Sequence, residues 1–133
     1  MQLSKSRILY IEDHADTREL VTLVLRLNGF EVITGSTIEA GIELAGQTAF
    51  DLYMLDSWLS DGSGLELCKR IREFDQQTPI LFYSAAAYET DRDVALKCGA
   101  QAYLVKPSQI SELCALVFSL IERFPRVYET TSA

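Results

Sequence analysis

Strand-like and helix-like segments alternate five times along this chain, and that alternation restricts its fold more than any other feature. Arg7 to Ile11 (RILYI) and Leu52 to Leu55 (LYML) are short, continuous apolar runs, as expected of central strands covered on both faces. Glu31 to Thr34 alternates polar and apolar residues and suits an edge strand. Pro79 opens the run ILFYS, where a missing N–H is tolerable, and Ala102 to Val105 is the fifth run. Between them lie helical patterns. Ala15 to Asn28 carries Leu20, Leu23, Val24 and Leu27 on one stripe, with Gly29 placed to end it. Ser36 and Glu39 have capping-box spacing ahead of Ile38, Ile42 and Ala45. A third helix points Leu65, Cys68, Ile71 and Phe74 inward, and a weakly apolar fourth runs from Thr90 to Cys98. The fifth, Ile110 to Arg123, is amphipathic through Ile110, Leu113, Val117, Leu120, Ile121 and Phe124.

Alternation with short loops implies an α/β domain with right-handed crossovers and helices on both faces of a parallel sheet. Placing the two most apolar early runs side by side in the middle gives a doubly wound, five-stranded sheet of order 2-1-3-4-5. This is a flavodoxin-like (βα)5 fold whose switch point lies between the first and third strands. The predicted boundaries are an N-terminal tail over 1–6, the folded domain over 7–124 and a C-terminal tail over 125–133.

In such a sheet, ligands bind beyond the carboxyl ends of the strands at the switch point. The first strand ends in Glu12-Asp13 and the third in Asp56, so three carboxylates converge on one crevice. Like charges gathered there raise one another's pKa, and a hard divalent cation relieves the repulsion. Mg²⁺ suits one or two carboxylates plus a phosphate, whereas Ca²⁺ wants more protein oxygens. Ser84 closes the fourth strand and Lys106 the fifth, directly before Pro107. An Asp nucleophile, a metal, a cation and a hydroxyl are the parts that phosphoryl transfer needs.

Other chemistries fit poorly. The net charge is −7 without a Lys/Arg stripe, which argues against nucleic-acid binding by this domain. Cys68, Cys98 and Cys114 form no CxxC pair and there is a single His, too little for zinc, so the thiols are read as small buried hydrophobes. No apolar stretch approaches the roughly 20 residues of a membrane span, and a cytoplasmic protein without membrane insertion is expected.

Along essentially its whole length the chain resembles a response-regulator receiver domain of two-component systems. The matching motifs are Glu12-Asp13, Asp56 in LYMLDSWLSDGSGLEL, Ser84 in ILFYSAA and Lys106-Pro107. The resemblance implies that Asp56 is phosphorylated by a histidine kinase or histidine phosphotransferase. Asp13 and Asp56 would bind Mg²⁺ through side chains, Trp58 through its backbone carbonyl and Glu12 through water. Lys106 would contact the phosphoryl group, and the Lys106-Pro107 peptide would be cis. Ser84 and Tyr103 would form the switch pair, acting on the face of the fourth helix, fifth strand and fifth helix toward a downstream protein. No independent enzymatic substrate is implied. Ser60 stands where the family commonly has proline, while Trp58 and Ala86 occupy positions that modulate phosphoryl lifetime. His14 is read as a helix-start residue.

Three other readings of the same residues are possible in principle. A pseudo-receiver would keep the fold for docking alone, without phosphorylation. A haloacid-dehalogenase-like phosphohydrolase expects a DxD nucleophile on an N-terminal strand, and Trp58 occupies the second acid's place. A flavin carrier needs a phosphate loop where Glu12-Asp13 would repel phosphate. With the chain ending soon after the fifth helix, either a stand-alone relay or a segment of a longer regulator is expected.

Overall fold

The computed structural model describes residues 5–125, so the tails predicted at 1–6 and 125–133 lie almost wholly outside the described residues. Five parallel strands form the main sheet: β1 (Arg7–Ile11), β2 (Glu31–Gly35), β3 (Leu52–Leu55), β4 (Ile80–Ser84) and β5 (Ala102–Val105). Their spatial order is β2-β1-β3-β4-β5, as the sequence pattern predicts. The connecting helices are α1 (Ala15–Leu27), α2 (Ile38–Gln47), α3 (Gly64–Arg72), α4 (Glu89–Lys97) and α5 (Ile110–Arg123). A small antiparallel hairpin, Trp58–Leu59 against Gly62–Ser63, stands where the sequence suggests a plain loop.

The two-residue period of a strand sends alternate side chains to opposite faces. In β1, Leu9 and Ile11 join Ile38, Leu67, Ile71 and Ala95 beneath α2, α3 and α4. Ile8 and Tyr10 join Val21, Leu25, Leu113, Val117 and Leu120 beneath α1 and α5. That is why β1 and β3 read as unbroken apolar runs: each face has its own core.

Several predicted helix faces shift. In α1 the sheet receives Val21 and Leu25, while Leu20, Leu23 and Leu27 are exposed. Apolar residues cover more than half of this helix's circumference, so more than one stripe satisfies the helical period and packing selects between them. Phe74 is exposed because α3 ends at Arg72, which places Phe74 beyond the last turn. Thr37 rather than Ser36 caps α2, its hydroxyl accepting from Ala40 N at 3.0 Å. Ile110 and Phe124, at the ends of the α5 pattern, are partly exposed, whereas Leu113, Val117 and Leu120 are buried.

Asp75 fixes the turn that leads into β4. Its Oδ1 accepts from the N–H groups of Gln77 (3.0 Å) and Thr78 (3.1 Å), and its Oδ2 accepts from Thr78 Oγ1 (2.7 Å) and Tyr53 Oη (2.8 Å). Burial raises the pKa of Asp75, but the hydrogen bonds from Thr78, Tyr53 and Gln77 outweigh it and leave the carboxyl below its ordinary value. A depressed folded-state pKa contributes stability above the unfolded value and loses it as pH falls through the folded one. Asp75→Ala is expected to cost about 1–3 kcal/mol in urea denaturation at neutral pH. The gap between variant and parent should close below about pH 4.

Candidate acidic site at the carboxyl edge of the sheet

The strand ladder continues one residue beyond the strands, and this holds the polar residues in place. Glu12 N donates to Gly35 O at 3.0 Å, Asp56 N to Ile11 O at 3.1 Å, and Lys106 N to Ser84 O at 2.8 Å. Because Ile11 pairs with Leu55, the acids that follow each strand stand side by side at the β1/β3 switch point. Carboxylate oxygens of Glu12, Asp13 and Asp56 lie within 4.8 Å of one another. Glu12 is fully buried, Asp56 is nearly so at 8% exposure, and Asp13 faces solvent.

Lys106 reaches into this group from the end of β5. Its ammonium donates to Glu12 Oε1 and lies 3.6 Å from Asp56 Oδ2, with the Tyr83 ring 5.5 Å away. Burial, followed by the neighbouring Asp56, pushes the Glu12 carboxyl up to about 7, and Lys106 works against them. Burial likewise drives the Tyr10 hydroxyl upward; Tyr10 donates to Glu12 Oε1 at 3.4 Å. With all three carboxylates ionised, the acids and Lys106 carry a formal charge of −2. That charge, borne by hard oxygen donors, suits a divalent cation such as Mg²⁺.

The remaining predicted residues divide into two groups. Ser84 is buried, and its Oγ accepts from Ala86 N at 3.1 Å. Tyr103 stacks on Phe82, with centroids 5.9 Å apart and planes 9° from parallel, and donates to Ala86 O at 2.7 Å. Ser84 and Tyr103 therefore meet at Ala86, beside the acids rather than among them. Trp58 lies in the hairpin two residues beyond Asp56 with its indole exposed, and Ser60 sits at the hairpin turn. The Lys106-Pro107 peptide is cis. His14 caps α1 by accepting from Thr17 N, in line with its reading as a helix-start residue. Cys68, Cys98 and Cys114 are free thiols, and burial pushes Cys68 up to about 11.

Sequence reasoning missed three contributors. Arg18 donates to Glu12 O at 2.7 Å from the first turns of α1. Asp61 accepts from Ile38 N (2.8 Å) and Glu39 N (3.3 Å), tying the hairpin to the start of α2. Gly64 lies so close to the Asp56 backbone that a Cβ there would come within 1.9 Å of Asp56 O. Gly64 closes the run Asp61–Gly64 (DGSG), whose turn chemistry alone does not say which glycine is pressed against the Asp56 backbone.

A doubly wound parallel sheet with an acidic, lysine-bearing crevice at its switch point defines the class: an α/β domain whose clustered carboxylates could hold a metal ion. The chain belongs to the response regulator receiver domain family of two-component systems, whose profile matches residues 8–118. It is 36% identical over 127 residues to a probable transcriptional regulatory protein of Picosynechococcus sp., covering 90% of this chain and 51% of that protein. It is 33% identical to the response regulator ArlR of Staphylococcus saprophyticus, covering 91% of this chain and 54% of ArlR. The chain thus spans about half the length of the curated relatives it matches. Among solved structures, a two-component response regulator from Clostridium difficile superposes with TM-score 0.86 at 28% identity, covering 92% of this chain and all of that one. The receiver domain of the Pseudomonas aeruginosa sensor histidine kinase PA1611 superposes with TM-score 0.83 at 25% identity, covering 90% and 99%. That domain holds a magnesium ion coordinated in its active-site cleft.

Proposed function

We propose that the unit spanning residues 7–124 accepts a phosphoryl group on Asp56 from a phosphohistidine of a histidine kinase or histidine phosphotransferase. It then signals to a downstream protein through the face formed by α4, β5 and α5. The observation that carries this reading is the convergence of Glu12, Asp13 and Asp56 within 4.8 Å, with the Lys106 ammonium against Glu12 and Asp56. Asp13 and Asp56 through their side chains, the Trp58 carbonyl, and Glu12 through water would hold Mg²⁺. When bound, the cation neutralises charge on the phosphoryl oxygens.

The chain's own residues supply the rest. A carboxylate oxygen of Asp56 attacks phosphorus as the histidine nitrogen leaves, producing an acyl phosphate. Asp56 Oδ1 accepts from Ser57 N at 2.7 Å, which fixes the carboxylate plane for that attack. Lys106 offers a positive charge to the incoming oxygens. Ser84 uses its oxygen to accept from Ala86 N, an arrangement that keeps its proton for donation to a phosphoryl oxygen. No independent substrate is proposed. Among the described residues no helix is long and apolar enough to cross a membrane.

Trp58, the chain's single tryptophan, reports on the site. Its fluorescence should change on adding Mg²⁺ and again with beryllofluoride, a phosphoryl mimic. A flat response to both, with no acid-labile phosphate formed, would falsify the reading. Lys106→Met is expected to weaken beryllofluoride binding about ten- to a hundredfold in the same titration, the scale of a lost charge-assisted hydrogen bond in a buried site. Parent-like affinity would remove Lys106 from the phosphoryl contact.

A further inference from the structure

We propose that Ser57 is a positioning residue that ties the Asp56 carboxylate to the Tyr103 hydroxyl, carrying a change at the acceptor into the loop between β4 and α4. The inference rests on the phosphoacceptor reading of Asp56 and adds a residue to which the sequence motifs assign no role.

Ser57 holds both ends of the connection. Its backbone N–H donates to Asp56 Oδ1 at 2.7 Å, and its Oγ lies 3.4 Å from Tyr103 Oη. A phenol has one proton, and that of Tyr103 goes to Ala86 O at 2.7 Å. Tyr103 Oη must therefore accept, with Ser57 Oγ as the donor. The chain of bonds runs one way, from Ser57 to Tyr103 to the Ala86 carbonyl, and Ala86 N turns back to Ser84 Oγ at 3.1 Å. Ser57 and Ser84, from adjacent strand ends, are thus linked through a single tyrosine.

The surroundings make the link responsive. Gly64 N donates to Ser57 O at 2.9 Å, which anchors the Ser57 backbone to the first residue of α3. When Asp56 Oδ1 changes its charge or partner, the Ser57 turn must adjust within that anchor, and its hydroxyl moves with it. Tyr103 is confined by its stack on Phe82, so a change at its oxygen is taken up by the bond to Ala86. At 3.4 Å the Ser57–Tyr103 bond is long and correspondingly weak. A small displacement is enough to make or break it, which is what a switch contact requires and what a rigid structural bond would not provide.

The test uses the full chain labelled with fluorotyrosine, the Tyr103 resonance being identified by its loss in Tyr103→Phe. Without ligand, Ser57→Ala should shift that resonance and Ser57→Thr should return it toward the parent position. An unmoved resonance in Ser57→Ala would overturn the contact. With Mg²⁺ and beryllofluoride followed at Trp58, Ser57→Ala and Tyr103→Phe should each weaken binding about two- to tenfold. The double variant should then match the larger single effect. Effects that multiply, or Ser57→Ala binding like the parent, would overturn the coupling while leaving phosphorylation of Asp56 standing. A parent protein whose tryptophan and tyrosines all ignore beryllofluoride would instead defeat the phosphoacceptor reading, and the coupling with it.

Discussion

Incorporation of phosphate from acetyl phosphate and Mg²⁺ is expected to fall to background in Asp56→Asn, while the fold is kept. Asn retains an oxygen at the Oδ1 position, so the bond from Ser57 N at 2.7 Å survives. It also removes one of the negative charges crowded against buried Glu12, which relieves like-charge repulsion in a partly dehydrated site. Thermal stability should therefore match the parent or exceed it by up to ~2 kcal/mol. The loss is chemical: an amide offers no anionic oxygen to attack phosphorus. Full-stoichiometry labelling of this variant would place the acceptor on another residue.

Gly64→Ala should be the most damaging single methyl addition among the described glycines. The new Cβ would lie 1.9 Å from Asp56 O and 3.2 Å from the Phe82 ring, and the first of these is a backbone atom that cannot swing aside. Either the start of α3 retreats, breaking the Gly64 N to Ser57 O bond, or the acceptor strand end moves. A cost of about 3 kcal/mol or more in chemical denaturation is expected, with loss of the Trp58 response to Mg²⁺. Gly46→Ala is the matched control. Gly46 lies in α2 with nothing within 4 Å of an added Cβ, so this change should stabilise by about 0.5–1 kcal/mol through helix propensity. Equal stability of the two variants would contradict the packing described around Asp56.

Much of this was legible in the sequence, and the reason is geometric. The short apolar runs RILYI and LYML read as central strands, and that placement brought Glu12-Asp13 beside Asp56. Lys106 followed because the residue after a fifth parallel strand must emerge at the same edge. What periodicity could not resolve was choice among equivalents. In α1, Leu20, Leu23 and Leu27 fit a helical stripe as well as Val21 and Leu25 do, and only docking on the sheet decides between them. Thr37 and Ser36 are both capable caps, and Asp61, distant in sequence, helps fix where α2 begins. Gly64 and Ser57 were hidden for another reason: their importance lies in contacts across the fold, with Asp56 O and Tyr103 Oη, that no local pattern encodes.

The central claim is that Asp56 carries the phosphoryl group, and site mapping addresses it most directly. An aspartyl phosphate is an acyl phosphate, which borohydride reduces to homoserine at the modified position. After incubation with acetyl phosphate and Mg²⁺ followed by borohydride, peptide mass spectrometry should find homoserine at residue 56 and at no other acidic position. Homoserine at Asp13 or elsewhere, or none despite an intact fold, would contradict the account.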